Sequence, residues 1–188
     1  MPIDPAPDRR PATDAEARAL ASSLRLRILR LCIDEDLTNK QVADRLAIDP
    51  GSALHHIRTL VATGFLAAQP PRRGRRGARE RPYRATGKSW YMDTGHAGSA
   101  MAAAVGAVAD ELSEVDPERV SWVRAPFRLH EDDRNALWRE LEALVGRYLE
   151  RERPDGLPCA VFAAVYPRIL AGDAIAPGAA DGTFSEDR

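Results

Sequence analysis

Cysteine is nearly absent from this chain of 188 residues: only Cys32 and Cys159 occur, far apart. That excludes a disulfide framework and leaves reduced thiols as the expected state, in segments that read as buried. Cys32, Cys159, His96 and His130 show none of the close spacings that thiolate or imidazole metal sites use, so no metal site is expected. Long apolar runs are missing too. None approaches the roughly 18 residues of a membrane span, and the opening "MPIDPAPDRRPATD" lacks the apolar core of a signal peptide. A cytoplasmic protein without a membrane partner is therefore expected. No nucleophile–base pair, glycine-rich phosphate loop or metal box stands out, which argues against an enzyme and against a cofactor. Net charge is also nearly absent, at −1, while 44% hydrophobic and 29% charged residues give an ordinary globular composition.

What is present is unevenly placed. Residues 1–65 carry nine acidic and nine basic side chains and sum to zero. Residues 66–96 carry eight basic and two acidic (+6), and residues 97–188 carry ten basic and seventeen acidic (−7). Most of the positive excess lies in "PPRRGRRGARERPYR", residues 70–84, with arginine at 72, 73, 75, 76, 79, 81 and 84. Gly74 and Gly77 argue against a regular strand there, and Pro70, Pro71 and Pro82 fence the stretch off, so it reads as a mobile basic loop. Arg81 is expected to pair with Glu80. Local basicity of this kind points to a polyanion.

The order of elements around that loop is informative. Residues 1–14 read as a disordered arm. From about 13 one helical pattern runs through Leu20, Leu24, Ile28, Leu31 and Cys32. Thr38 with Gln41 three residues later makes a capping box, opening a short helix with Val42, Ala43 and Leu46 on its apolar face. Asp49 followed by Pro50 is an N-cap with proline at the first helical position, and Gly64 marks the end of the helix between them. Along that helix Ala53, Leu54, Ile57, Leu60 and Val61 cluster on one side at 100° per residue; Ser52, His55 and Thr59 project from the other, with His56 and Arg58 on the flanks. "FLAAQ" and "PYRAT" read as strands bracketing the arginines, a hairpin with a basic tip.

Beyond residue 97 the pattern changes. Met101, Val105, Val108, Leu112 and Val115 fall at steps of 4, 3, 4 and 3 among alanines, a heptad seam whose small residues allow close approach. "VSWVRAPFRL" alternates as a strand, with Pro126 demanding an edge position. A helix over about 131–152 carries a second seam, Leu137, Leu141, Leu144 and Tyr148. "LPCAVFAAVY" is a continuous apolar run read as a strand, and residues 171–188 read as a disordered tail. Two seams exceed what one small domain needs to bury, so homodimerisation through Met101, Val105, Val108, Leu112, Leu137, Leu141 and Leu144 is expected.

Helix, capped helix, turn, helix, then a basic-tipped hairpin is the order of a winged helix-turn-helix. The fold class is thus α+β, mainly α: a winged helix-turn-helix over 15–92, followed by an α+β segment over 97–167 for dimerisation and possible effector response. "SLRLRILRLCIDEDLTNKQVADRLAIDPGSALHHIRTLVATGFLAAQ…YRATG" resembles the ArsR-type winged-helix regulators. It is most similar to a metal-independent branch whose recognition helix reads "LHHIRTL", and the C-terminal half resembles the extra α/β segment of some actinobacterial regulators. The resemblance implies a repressor acting on double-stranded DNA. Metal-responsive members resemble one another in a cysteine pair on the first helix of the turn, which here, in "KQVADRL", is missing.

The major groove accepts a helix with an apolar back and a small polar front. Gly51, Ser52, His55, His56, Arg58 and Thr59 are the expected contacts from the recognition helix: Ser52, His55 and Thr59 toward bases, Arg58 and His56 toward phosphates. Thr38, Asn39, Lys40 and Gln41 are expected to support them from the preceding helix. Arg72, Arg73, Arg75, Arg76 and Arg79 are expected on the backbone or in a minor groove. The rival readings are a protein-interaction module and a ligand- or metal-responsive sensor of the same fold. The first would need exposed aromatics at 52–59, and none lie there.

Overall fold

The computed structural model describes residues 10–74, 78–93, 98–153 and 155–167. Its first helices begin at caps. Thr13 closes a capping box with Glu16 and starts α1 (Asp14–Leu20). Ser22 accepts from the Arg25 N–H and starts α2 (Ser23–Asp34). The single helix expected from residue 13 is therefore two. The guanidinium of Arg25 donates to the carbonyls of Ala19 and Arg18, satisfying the end of α1, while Ser22 restarts the chain in a new direction. Of the expected arm 1–14, residues 10–14 are ordered, and residues 1–9 lie outside the described residues. Arg10–Pro11 forms β1, paired in parallel with β7 (Met92–Asp93).

The short strand β2 (Leu37–Thr38) leads into α3 (Asn39–Leu46), whose capping box of Thr38 and Gln41 forms as its spacing requires. Ala47 takes up a left-handed conformation (φ 51°) and ends α3. Next, α4 (Pro50–Ala62) opens with the Asp49 carboxylate accepting from the N–H groups of Gly51 and Ser52 at 2.7 and 3.1 Å. It ends in a Schellman turn: Phe65 N–H donates to Leu60, Gly64 N–H to Val61, and Gly64 supplies the positive φ of 74°. β3 (Leu66–Ala68) and β6 (Pro82–Ala85) pair antiparallel, and β6 also takes β2 on its other side, giving the order β2–β6–β3. The expected FLAAQ/PYRAT hairpin is present, and its arginine-rich tip is more regular than expected. β4 (Arg72–Arg73) and β5 (Arg79–Glu80) form a two-residue ladder, because Gly74 lies outside the paired positions.

The core lies beneath this sheet and between α1–α4. Ile28, Cys32, Leu37, Val42, Ala53, Ile57, Leu60, Phe65 and Leu66 are almost wholly buried. Each fully buried large aliphatic side chain contributes about 2 kcal/mol through removal from water. Burial pushes the Cys32 thiol up to about 12, which makes it a packing residue without thiolate character at neutral pH. Cys159, expected to be buried, is exposed.

The chain divides into two compact units, Met1–Arg128 and Leu129–Arg188. α5 (Gly98–Glu114) belongs to the first, where it packs on α2. Its buried residues are Ala103 and Ala107; Met101, Val105 and Leu112 of the expected seam are exposed. Arg27 of α2 pairs with Asp110 and Glu114, and Arg30 with Glu111. The second unit contains α6 (Glu131–Leu149), which carries Glu131, Asp132 and Asp133 in its first turn, where the helix dipole favours negative charge, and buries no residue. The strands expected at "VSWVRAPFRL" and "LPCAVFAAVY" do not form: neither stretch has regular secondary structure or joins a ladder among the described residues. A period-2 or continuous apolar pattern specifies no neighbouring strand. The tail at 171–188 lies outside the described residues.

Glu16 is nearly buried, and its carboxylate accepts from Arg10 at 2.6 and 3.0 Å, from Lys88 Nζ at 2.6 Å and from the Thr13 N–H at 2.9 Å. The Arg10 guanidinium first, then Lys88 and the Thr13 N–H, hold this carboxyl well below the usual carboxylate range. A depressed carboxyl contributes stability that is present above its unfolded pKa of about 4.3 and is lost as pH falls toward the folded value. Glu16→Gln should therefore lower the melting temperature at pH 7 and reduce the loss of stability between about pH 5 and pH 3. Thermal melts of both proteins across that range measure it. Thr38→Ala should cost about 1 kcal/mol in a urea titration, because its hydroxyl accepts from the Gln41 N–H at 3.3 Å to open α3.

Candidate nucleic-acid interface

Core packing decides which side of α4 faces outward. Ala53, Ile57 and Leu60 have no exposed surface, and at 100° per residue the opposite side carries Gly51, Ser52, His55 and Arg58, all exposed. Leu54 and Val61, expected with the apolar back, lie at its margins: Leu54 is half-buried and Val61 is exposed. Thr59 is half-buried and its hydroxyl donates to the carbonyl of His55 at 3.2 Å, which commits its proton within the helix. The backbone N–H groups of Gly51 and Ser52 are held by Asp49, so the hydroxyl of Ser52 and the ring of His55 are the exposed side-chain polar groups that the first two turns turn outward.

His56 behaves differently from its neighbour. It is half-buried, its ring lies edge-on to His55 with centroids 5.5 Å apart, and its Nδ1 is buried without a hydrogen-bond partner. Burial, then the nearby Arg25 and His55, lowers its pKa and favours the neutral ring. A neutral imidazole is a weaker phosphate ligand than a guanidinium, so Arg58 is the stronger candidate of the two flanking residues.

α3 sits against α4, and its start is tied to the start of α4 by Asn39 Nδ2 donating to the carbonyl of Pro50 at 2.9 Å. Lys40 is exposed and paired with Asp44 one turn on. Gln41 Oε1 accepts from the Thr38 N–H and from Arg72 of the hairpin at 3.2 Å, so a single side chain joins the start of α3 to the basic tip.

In the hairpin, the β4–β5 register sets Arg72 opposite Glu80 and Arg73 opposite Arg79. Glu80 pairs with Arg72 at 3.9 Å, whereas the expected partner was Arg81. Arg84 is engaged elsewhere, with Asp36 at 2.9 Å. Arg73 and Arg79 are exposed and have no ion-pair partner among the described residues. Like charges facing each other across a ladder are unfavourable until an anion lies between them. Arg75 and Arg76, expected at the same tip, lie outside the described residues. No group of His, Cys, Asp or Glu that could hold a metal ion occurs among the described residues. No described helix is long and apolar enough to cross a membrane.

In agreement with this geometry, residues 20–68 match a family described as a helix-turn-helix domain. No curated protein is matched. Among solved structures, the chain is similar to reduced HlyU from Vibrio cholerae N16961, with 16% identity, covering 48% of this chain and 80% of that one at a TM-score of 0.32. It is also similar to a cysteine-to-serine mutant of ZitR from Lactococcus lactis, with 17% identity, covering 67% of this chain and 74% of that one at a TM-score of 0.32. From α2 through β3 the chain is a helix-turn-helix domain, and the hairpin packed behind it makes the fold a winged helix-turn-helix.

Proposed function

We propose that this protein is a sequence-specific DNA-binding transcriptional regulator of repressor type, acting as a homodimer on a two-fold symmetric operator. One observation carries the reading: a helix with a wholly buried apolar back presents Ser52 and His55 outward, with a basic hairpin joined to the same substructure. A major groove accepts such a helix, Ser52 and His55 suit base edges, and Arg58 suits phosphate. Thr38, Asn39, Lys40 and Gln41 brace the helix from α3. Arg72, Arg73 and Arg79, with Arg75 and Arg76, supply charge along the backbone or in the adjacent minor groove.

A single recognition helix reads too few base pairs for useful specificity, so two half-sites about one helical turn apart are required. The seam of α5 (Met101, Val105 and Leu112 exposed, Val108 half-buried) and that of α6 (Leu144 exposed, Leu137 and Leu141 half-buried) supply apolar surface for the two-fold contact. Residues 97–167 are on this reading the dimerisation segment.

Selection of bound sequences from a random duplex pool should return a palindrome. A protein that selects no sequence is instead an interaction module, and the DNA reading fails. His55→Ala should cost about 1–3 kcal/mol on the selected site and relax preference at one position per half-site. Equal weakening on selected and random duplexes would remove His55 from base reading. Arg73→Ala with Arg79→Ala should lower the slope of log affinity against log salt by about 2 per monomer, from about 0.9 per phosphate contact. The same change should weaken operator and random duplexes alike, with folding intact, and a salt titration on both duplexes measures it.

A further inference from the structure

α6 (Glu131–Leu149) is an amphipathic helix without a cover: none of its 19 residues is buried. At 100° per residue, its large apolar side chains all lie within about 80° of the direction of Leu141. Tyr148 is 62% and Leu149 54% exposed, and Trp138, Leu144 and Val145 are exposed as well. A helix in a protein draws most of its stability from packing such a face, so this stripe calls for a partner.

The order of its side chains selects that partner. The stripe reads nearly alike in both directions about residue 143: Leu137 mirrors Leu149, Trp138 mirrors Tyr148, and Leu141 mirrors Val145. Along one edge the charges do the reverse. Asp133 and Glu140 precede the midpoint and Arg147 and Arg151 follow it, all four exposed and about 80–120° from Leu141 on the same side. Arg151 lies just past the helix end. Its N–H donates to the Tyr148 carbonyl at 3.0 Å and its guanidinium lies 5.0 Å from the centroid of the Tyr148 ring, which keeps its charge beside the stripe.

Two-fold antiparallel pairing sets each residue opposite its mirror about the axis, and the same edge of each helix meets. An axis at residue 143 packs leucine on leucine, aromatic on aromatic and Leu141 on Val145. It also brings Glu140 within one residue of level with Arg147 of the other copy, and Asp133 within two of Arg151. A parallel pair would instead set each acid level with its own copy and each arginine level with its own. Apolar symmetry joined to charge inversion is what a second copy of this helix needs, and an unrelated partner requires neither. The exposed charges add little strength. They set direction and register, while the apolar stripe supplies affinity.

We propose that two copies of this chain associate through α6, packed antiparallel about a two-fold axis beside residue 143. This deepens the homodimer reading above, on which it rests, by naming the helix that joins, its direction and its charge pairs.

The test is sedimentation equilibrium of the full chain over a dilution series, for wild type and variants at exposed positions. Asp133→Arg with Glu140→Arg makes the edge wholly basic, Arg147→Glu with Arg151→Glu makes it wholly acidic, and all four changes together exchange its halves. The wild type should be a dimer at micromolar concentration. Each double variant should dissociate at least about tenfold more readily, because like charges then face each other. An equal mixture of the two double variants should dimerise as the wild type does, and so should the four-fold variant. Thermal melting of the core should not change, since that core contains no residue of α6. Four results would overturn the pairing: a wild-type monomer, double variants that dimerise like the wild type, a mixture that stays monomeric, or a monomeric four-fold variant. Should a double variant fail to fold, Val145→Glu on the exposed stripe takes its place; it should be monomeric, and a dimer as tight as the wild type would overturn the pairing equally. Site selection on DNA is independent. A dimer indifferent to these changes that selects a palindrome sinks the α6 pairing alone, and an α6-paired dimer that selects no sequence sinks the DNA reading alone.

Discussion

Burial of Ala53, Ile57 and Leu60 is the constraint on which the rest of the molecule depends. A helix buried along one stripe cannot turn about its axis without exposing that stripe. Rotating α4 by one residue, 100°, would expose Ile57 and Leu60 at about 2 kcal/mol each and press polar side chains from the front into the core. The outward position of Ser52, His55 and Arg58 is thus set by what the core accepts. No bound nucleic acid is needed to order that face. The surface is preorganised, and a partner that fits it need not divert binding energy to rotating the helix.

The two ends of α4 are held by different means. At its start, Asp49 holds the first N–H groups and Asn39 ties the carbonyl of Pro50 to α3. At its end, Lys88 works as a junction. Its ammonium donates to the carbonyl of Thr63, lies 5.2 Å from the centroid of the Phe65 ring, and pairs with Glu16 near the N-terminus. Thr86 donates to the carbonyl of Gly64 beside it. The return strand of the hairpin is therefore attached to the end of α4, and the tip is attached to the start of α3 through Gln41 and Arg72. Exposed ion pairs contribute little to stability. The Glu16 cluster matters chiefly for position, because removing one partner would leave a nearly buried charge without compensation.

The parts of this architecture legible in the sequence are those fixed locally. Thr38 with Gln41, Asp49 with Pro50, and Gly64 each satisfy backbone groups within a turn of themselves, so spacing alone reveals them. The polar front of α4 follows from the same periodicity. What spacing could not reveal was tertiary. The break at Ala21–Ser22 depends on Arg25 reaching back to the carbonyls of α1, and β1 depends on β7 arriving beside it from the far side of the domain. The arginine tip read as a loop because its glycines were visible and its two-residue register was not. At residues 101–115 the heptad pattern was real, but the alanines between its positions bury against α2, since small side chains allow closer approach than Met101 or Val105. The two apolar stretches beyond residue 119 have strand patterns, and a strand pattern specifies no neighbour.

The near-zero net charge conceals a division of labour among the arginines. Two of the three on α2 face the acidic side of α5: Arg27 meets Asp110 and Glu114, and Arg30 meets Glu111. Their charge is neutralised inside the domain, and they add little to the outward field. The hairpin differs. Its one acidic residue among those described, Glu80, answers Arg72 only, which leaves Arg73 and Arg79 opposite one another. Interactions between exposed charges fade beyond about 8–10 Å at physiological salt, so the acidic residues of α5, paired with α2, do not cancel a hairpin they do not touch. The sum over the chain therefore says little about what the surface attracts. On the proposed function, the unanswered pair at the tip, on the same substructure as the polar front of α4, is what would give this nearly neutral protein a face for a polyanion.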